Sequence, residues 1–565
     1  MRSSDKIIVQ MIVDQCEAHG IKKVVFSPGS RNAPFAISFD EHPFFDTYVI
    51  HDERCAAFFA MGMASELNEP VVLCCTSGSA GLNYYPAIAE AFYRSIPLLV
   101  ITADRPSEWT NQGDGQTIMQ NDLYGSHVRQ SISLDDSIVS EDSIWKAQLD
   151  TATCFSILKG TWRGPVHLNV GLNEPLYNKV EKTKNFSRQI AQHNKNELLS
   201  PVFLSEASSI LRDSKILVLC GQMPPNEKLK AQLEIFAGNS NVVTLVENTS
   251  NLYHESFISC IDRALNGISS EKEIEFYPDL LITLGGAVVS KKIKSFLRKS
   301  KPTYHWKIGY EFPFMDTYKC LTDSIQLLPE TFFEQLNKLT FQQNKLNFFG
   351  KWKSIDYQAK DLINDCIQQL NELTDIVVFD AFFGLLPENS ILHMANSSVV
   401  RYCQLFDPIQ NVRFESNRGT SGIDGSTSTA VGAAIANPNE QFYLITGDIS
   451  FLYDSNALWI SEFPKNLRIL VINNQGGGIF KIIPGPSNSD QRDRYFEAVH
   501  TQSAFSVAKA FGLVSNRIEN INELITGLAD FFNLNNDIQL LEITTNPQQN
   551  PKDLDYFFNF IRNNE

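Results

Sequence analysis

Between residues 20 and 110 the chain repeats one pattern, a short β-rich apolar run followed by a helical stretch. "KKVVF" (22–26), "TYVI" (47–50), "PVVLCCT" (70–76) and "IPLLVIT" (96–102) are strand-like. "ERCAAFFAMGMASEL" (53–67) and "LNYYPAIAEAFYRS" (82–95) between them are helical in character. Short apolar strands that alternate with helices build a parallel sheet covered on both faces. "GPVHLNVGLNEP" (164–175) reads as the last strand of this block and its exit. The pattern then returns twice. "KILVLCGQ" (215–222), "NVVTLVEN" (241–248) and "DLLITLGG" (279–286) form a second set of strands. "DIVVFDA" (375–381), "SILHMANS" (390–397), "QFYLITGD" (441–448) and "LRILVINN" (467–474) form a third, after a polar helical stretch over 333–370. The expected fold class is α/β, with three doubly wound parallel-sheet domains in series. Its boundaries are 1–180, a polar linker over 181–198, then 199–345 and 346–565. Residues 1–20 predict an amphipathic helix that ends at Gly20.

A chain of 565 residues has room for three or four such domains. No apolar run reaches the ~18 residues of a membrane span, and acidic residues interrupt the apolar N-terminal stretch, so neither an integral membrane segment nor a secretory leader is expected. The ten cysteines, with Cys74 and Cys75 adjacent, show no zinc-type spacing. They predict buried, reduced thiols and a cytoplasmic protein. A net charge of −16 argues against nucleic-acid binding. It also makes single arginines informative. Arg31, in "VVFSPGSRNAPF" (24–35), stands just past the expected end of a buried strand. There it could meet an anionic ligand with its planar fork of donors, or equally be a surface residue near a turn.

The most specific stretch is "LITGDISFLYDSNALWISEFPKNLRILVINNQGGGIF" (444–480). One strand ends in Gly447-Asp448 and the next in Asn473-Asn474. In a parallel sheet both ends lie on one edge, so Asp448 and Asn474 can converge. A carboxylate, an amide oxygen and a nearby carbonyl are hard ligands suited to Mg²⁺. The glycines at 476–478 let backbone approach a diphosphate closely. Taken singly, Asp448 also reads as a helix cap and Asn473-Asn474 as a turn. No GxxxxGK[ST] loop is present, nor a GxGxxG after a strand, which argues against a P-loop NTPase and a nicotinamide cofactor.

This arrangement resembles the diphosphate and metal motif of thiamine-diphosphate enzymes. The resemblance implies that Asp448, Asn474 and the Gly476 carbonyl hold Mg²⁺, or Mn²⁺ in its place. It further implies a first domain that serves the aminopyrimidine ring, normally from a partner chain, through a glutamate after an early strand. Glu53 in "YVIHDERCAAFFAMGMA" (48–64) fits that place. Its carboxyl, bonded to the ring N1′, would favour the imino tautomer that takes the thiazolium proton. On position alone Glu53 is also an ordinary first-turn residue. The other cofactor contacts implied are Ser77, Gly78, Ser421, Gly422, Ile423, Gly447, Ile449, Ser450, Gly477, Ile479 and Phe480.

"SPGSRNAPF", "HDERCAAF", "TSGSAGLNYYPAIAEA", "TADRP", "NSSVVR" and "NRGTSGIDGSTSTAVGAA" narrow the resemblance. Together they are similar to the 2-succinyl-5-enolpyruvyl-6-hydroxy-3-cyclohexene-1-carboxylate synthases of the menaquinone pathway. That family decarboxylates 2-oxoglutarate and adds the succinyl carbanion equivalent to isochorismate. Ser30, Arg31, Arg105 and Gln116 would line its substrate pocket from the first domain, and Asn396, Ser397, Arg401 and Arg418 from the third. Ile423 would bend the cofactor, with Ile479 and Phe480 beside its thiazolium; a plain core role also suits these three. Lys291 and Lys292 stand where the family usually has Lys-Arg, and lysine lacks the bidentate fork. Gly115 stands where asparagine is common. A homodimer or homotetramer with shared sites is implied. An acetolactate-synthase-like lyase is the rival reading, and it would carry fewer arginines.

Overall fold

In the computed structural model, residues 2–563 are described, apart from 139, 191–197, 340–346 and 484. Three six-stranded sheets organise them. The first has the spatial order Asp46–Val49, Lys23–Phe26, Val71–Cys75, Leu98–Asp104, Val166–Gly171, Gln130–Asp135, with every neighbour parallel. The third runs Arg413–Glu415, Ser390–Met394, Gln441–Gly447, Leu467–Asn473, Leu540–Thr544, Ser515–Ile518. Numbered along the chain, both read 2-1-3-4-6-5. The middle sheet reads 3-2-1-4-5-6, from Phe257–Ile258 through Val242–Val246, Ile216–Cys220, Leu280–Leu284 and Tyr304–Ile308 to Asp323–Ile325. The architecture is α/β with three doubly wound parallel sheets.

The central strands are mostly apolar because helices cover both faces. Val71–Cys75, Leu280–Leu284 and Leu467–Asn473 are buried at every position. The ten cysteines are all free, and nine are buried. No helix among the described residues is long and apolar enough to cross a membrane.

Several sequence expectations need correction. "DIVVFDA" is the start of a helix, Asp375–Leu385, not a strand. Its apolar residues are buried around most of the helix, so periodicity could not separate the two readings. The N-terminal helix is confined to Ile7–Ala18, with Gly20 at φ 69° just beyond it. Arg2–Ser4 instead pair antiparallel with Lys179–Glu181. The stretch 82–95 is a helix only over Tyr85–Tyr93, after a short turn of helix at Ser79–Asn83. Within 333–370 the described helices are Pro329–Leu336 and Phe348–Ile367, and residues 340–346 lie outside the described ones.

The chain forms two compact units. One comprises Met1–Asn194, Gly419–Gln441 and Leu452–Leu467; the other holds Lys195–Arg418, Phe442–Phe451 and Arg468–Glu565. In the first unit, helix Glu53–Leu67 packs on helix Ser426–Ala436 at a glycine crossing. A Cβ on Gly62 would lie 2.1 Å from the Thr429 carbonyl, and one on Gly432 2.0 Å from that of Phe59. Residues 191–197 of the expected linker lie outside the described residues, but the part before them is anchored. Asp14 pairs with Lys182 and accepts the Phe186 N–H at 2.7 Å. In the second unit, the loops after Ile216–Cys220 and Val242–Val246 of the middle sheet bond to the chain around 403–416. Gln222 donates to the Ser416 carbonyl, Asn248 to that of Cys403 and Asn251 to that of Phe414.

Candidate active site

In an open parallel sheet, loops diverge where the strand order reverses, and ligands bind there. In the first sheet that point lies between Lys23–Phe26 and Val71–Cys75. Their following loops touch: a Cβ on Gly29 would stand 2.2 Å from that of Thr76. Beside them is a cavity of about 500 Å³, lined by Pro28, Gly29, Glu53, Thr76–Ala80 and Gln116–Ile118. Glu53 opens its helix. Asp52 caps that helix at the Cys55 N–H, 3.2 Å away, which leaves the Glu53 carboxyl to the cavity. Ser77 and Gly78 form the opposite lip. Gly78 has φ 89°, and a Cβ there would meet the Gln116 backbone at 3.2 Å. Its N–H donates to Gln120 Oε1 at 2.8 Å. Beneath lies a buried polar chain in which Gln120 donates to Asn169, Asn169 to Asp104, and Thr102 bridges Asn169 and His167. Burial raises the Asp104 pKa and lowers that of His167 to about 4.

Arg31 is not a surface residue, being only 6% exposed. Its Nη1 donates to the Leu172 carbonyl at 3.0 Å and lies 3.2 Å from Glu174. Ser30 Oγ is 2.9 Å from the Tyr177 hydroxyl. Arg105 donates to the Gly115 carbonyl at 3.0 Å and pairs with Asp114 at 2.9 Å. Gln116, at φ 57°, faces the cavity. Ser421, Gly422 and Ile423 are half-buried in the same unit. Their turn is held by a residue that sequence reading missed: buried Glu90 accepts the Gly419 and Thr420 N–H groups and the Thr420 hydroxyl, at 2.6–2.8 Å. The available signal was an acid inside an otherwise apolar helix face.

In the other unit the reversal falls between Ser390–Met394 and Gln441–Gly447. Asp448 follows the second of these strands and is buried. It accepts the Ile449 N–H at 2.7 Å and that of Gly476 at 3.0 Å, so the two strand ends do converge. His500 Nε2 lies 3.3 Å from the same carboxylate, which raises the histidine pKa. Asn474 donates its amide to Asp375 Oδ2 at 3.0 Å, and its Oδ1 is buried without a partner. Asp375 also accepts from Thr545 at 2.6 Å and Asn550 at 2.8 Å. Burial pushes its pKa up to about 6 against those bonds, with Asp448 adding to the rise. The glycine run is tight: a Cβ on Gly476 would lie 2.8 Å from the Glu497 carbonyl, and one on Gly477 2.9 Å from the Phe480 ring. Ile479 is buried; Gly447 and Ile449 are half-buried and Ser450 is buried. Asp375 and His500 were missed because each is distant in sequence from the motif it touches.

The cations of this unit gather around one loop. Arg418 donates to Asn396 Oδ1 at 2.8 Å, and Asn396 donates to the Asn417 carbonyl at 2.7 Å. Ser397, at φ 74°, precedes the short helix that bears Arg401. Arg401 reaches the Val289 carbonyl at 3.4 Å, with its Nε buried and unpartnered. Lys294 donates to the Val288 carbonyl at 2.6 Å; burial lowers its pKa, Glu247 opposes this, and Arg418 and Arg401 add to the fall. Glu247 fixes the loop by accepting the Val289 and Ser290 N–H groups at 2.7 and 2.8 Å, and burial raises its pKa to about 7. Lys292 turns elsewhere, to Asn266 at 3.3 Å and onto the Phe558 ring at 3.5 Å, while Lys291 is exposed at the helix start. Lys294, one turn further on, is the lysine that joins the arginines.

Residues 8–124 match the thiamine pyrophosphate enzyme N-terminal TPP binding domain, and residues 397–542 the C-terminal TPP binding domain. Full-length relatives agree. Proteins named 2-succinyl-5-enolpyruvyl-6-hydroxy-3-cyclohexene-1-carboxylate synthase from Flavobacterium psychrophilum and Flavobacterium johnsoniae are 42% and 41% identical to it. The alignments cover 89% of this chain and 90% of the first relative, and 98% of both chains for the second. The synonymous protein from Porphyromonas gingivalis is 37% identical over 99% of this chain and 98% of its own. The chain belongs to the 2-succinyl-5-enolpyruvyl-6-hydroxy-3-cyclohexene-1-carboxylate synthase family. It is a thiamine-diphosphate-dependent enzyme.

The donor set of this synthase-family chain suits the metal that such a cofactor employs. Asp375 and Asn474 Nδ2 are engaged with each other, which turns Asn474 Oδ1 away as an unsatisfied buried acceptor. An unpaired buried carbonyl is costly unless something binds it. Together with the Asp448 carboxylate it makes an all-oxygen set, the preference of Mg²⁺.

Proposed function

We propose that this enzyme decarboxylates 2-oxoglutarate and adds the resulting four-carbon unit to isochorismate, in the cytoplasm, as a step of menaquinone biosynthesis. The observation that carries the reading is the grouping of Arg401, Arg418 and Lys294 about the 288–290 loop. In a protein of net charge −16, such a concentration of cations suits substrates with two carboxylates each.

Bound thiamine diphosphate supplies the electron sink on which a 2-oxo acid loses carbon dioxide. Asp448, Asn474 Oδ1 and the Gly476 carbonyl would hold Mg²⁺, or Mn²⁺ in its place, against the diphosphate. Gly447, Ile449, Ser450 and Gly477 line that end. Glu53 offers its carboxyl as the hydrogen-bond partner of the aminopyrimidine N1′, with Ser77 and Gly78 beside it. Ser421, Gly422 and Ile423 support the cofactor's bend, and Ile479 and Phe480 keep the reacting centre dry. Ser30, Arg31, Arg105 and Gln116 bind substrate from the first domain. Asn396, Ser397, Arg401 and Arg418 do so from the third, with Lys294 beside them in place of Lys292, which faces Asn266 and Phe558. The domain limits at 180, 198 and 345, and a homodimer or homotetramer that shares its sites between chains, are parts of the same reading.

The test is 2-oxoglutarate consumption with thiamine diphosphate and Mg²⁺, with and without isochorismate. Turnover that depends on isochorismate and yields the succinylated adduct is expected. Equal turnover without isochorismate, or none on 2-oxoglutarate with another 2-oxo acid accepted, rejects the substrates.

A further inference from the structure

The middle sheet carries a cluster that the reaction does not use. His305, on strand Tyr304–Ile308, has a fully enclosed side chain. Its Nε2 lies 2.9 Å from Thr283 Oγ1 on the adjacent strand. Its Nδ1 is buried with no hydrogen-bond partner. The segment 309–322 leaves this strand and comes back to it: the His305 N–H donates to Thr322 Oγ1, and the Thr322 N–H to the His305 carbonyl, both at 3.0 Å. Asp316, within that segment, has Oδ1 at 3.8 Å from His305 Nδ1. The same oxygen accepts the N–H groups of Cys320 at 2.9 Å and Leu321 at 3.2 Å, which draws Cys320 alongside. One donor atom from each of His305, Asp316 and Cys320 falls within 4.8 Å of the others.

We propose that His305 Nδ1, an Asp316 carboxylate oxygen and Cys320 Sγ bind a divalent transition metal of the zinc type, which ties the 309–322 segment to its strand. Nitrogen, oxygen and thiolate sulfur around one centre is a borderline-soft set that Zn²⁺ accepts and Mg²⁺ does not favour. Zinc bonds of about 2.0–2.3 Å require the three donors to close in only slightly from where they stand. The ring is already oriented for the purpose. A metal-bound histidine commonly gives its other N–H to an oxygen, and Thr283 is placed to take it from Nε2, leaving the Nδ1 lone pair for the ion. Asp316 is exposed and Cys320 half-buried, which gives an ion a way in and leaves a fourth position for water. Binding exchanges the thiol proton for the metal, Cys-SH + M²⁺ → Cys-S-M⁺ + H⁺, with the proton released to solvent and no change of oxidation state. The chemistry also separates this cluster from the all-oxygen set at Asp448, which has no sulfur.

Co²⁺ replaces zinc in such sites and reports a thiolate ligand by a near-ultraviolet sulfur-to-cobalt charge-transfer band. The experiment is an anaerobic Co²⁺ titration of the full chain with thiamine diphosphate and Mg²⁺ present. The expected result is a band that saturates near one ion per chain and is bleached by added Zn²⁺. It should vanish in Cys320→Ser and persist in Asp448→Ala. Because Cys320 is half-buried in a loop, Cys320→Ser should melt with the wild-type chain when metal is removed, so loss of the band is not loss of fold. No band in the wild-type chain would mean that His305, Asp316 and Cys320 are neighbours without a shared ion, and overturns the site. A band that survives in Cys320→Ser overturns it as well.

Discussion

Asn474 is a neutral amide to which its surroundings give a direction. Asp375 takes the amide hydrogens, and the carbonyl oxygen is thereby committed to whatever lies on the other side. Asp448→Ala should abolish thiamine diphosphate binding at ordinary Mg²⁺, because it removes the one formal charge in the ligand set; wild-type cofactor affinity in that variant would contradict the assignment. Asp375→Ala acts one step back and should weaken Mg²⁺ about 10- to 100-fold, read from Mg²⁺ titrations of cofactor binding in a chain checked for its melting temperature. Arg31 is tied to Leu172 and Glu174 within the fold, yet it sits at a strand end beside the cavity. Arg31→Ala should lower kcat/KM for isochorismate by roughly 10- to 150-fold, the loss of one charge-assisted contact, with thiamine diphosphate affinity nearly unchanged. Loss of the cofactor along with activity would assign Arg31 a structural role instead. The motif residues were legible because strand ends and glycine runs leave marks in sequence. Asp375, Glu90, His500 and Lys294 were not, since their partners are 99, 330, 52 and 107 or more positions away or meet them only through the fold.

Among elements, most strands of the first sheet and half of those of the third were readable as short, bounded apolar runs, whereas Gln130–Asp135 and Leu540–Thr544 were not read. The helix Asp375–Leu385 was misread because burial on nearly every side erases the helical period. Short edge strands such as Arg413–Glu415 and Asp323–Ile325 carried no run to read. The crossing of helices Glu53–Leu67 and Ser426–Ala436 depends on missing side chains rather than on present ones. Gly432→Ala would press a methyl against the Phe59 carbonyl, and it should cost about 1–3 kcal/mol or more, seen as a lowered melting temperature; an unchanged value would mean that the helices part without cost. The same junction holds a titrating group. Asp454 accepts the Ser428 N–H and hydroxyl at 2.7 Å, with Cys55 and Arg54 near it, and burial raises its pKa from 3.8 to about 7. The folded chain therefore keeps this proton after the unfolded chain has released it, and stability falls as pH rises across that window. Asp454→Asn lacks the slope. Its deficit in melting temperature relative to wild type should shrink between about pH 4 and pH 7; a deficit that widens would reverse the sign.

For the whole molecule, the proposed sharing of sites between chains has a direct consequence for mixed oligomers. Glu53→Gln and Asp448→Ala chains, each inactive alone, should regain activity after subunit exchange, since some sites then receive both intact halves. No recovery, with exchange shown independently by a mass label, counts against sharing. In sequence the blocks share only the alternation of strand and helix, and the identical strand order of the first and third emerged from the pairing itself. The first unit is also discontinuous: it includes Gly419–Gln441 and Leu452–Leu467 from far down the chain. This sets a schedule for biosynthesis. Gly62 leaves the ribosome about 370 residues ahead of Thr429, an interval of roughly 20–70 s at ordinary elongation rates. Throughout that interval Phe58, Phe59 and Met61, buried in the finished protein, lack the helix that closes over part of them. A ribosome that stalls anywhere in between holds a fragment with a sticky helix face, a substrate for chaperones and proteases, so the cell inspects this enzyme's first unit only after most of its messenger has been read.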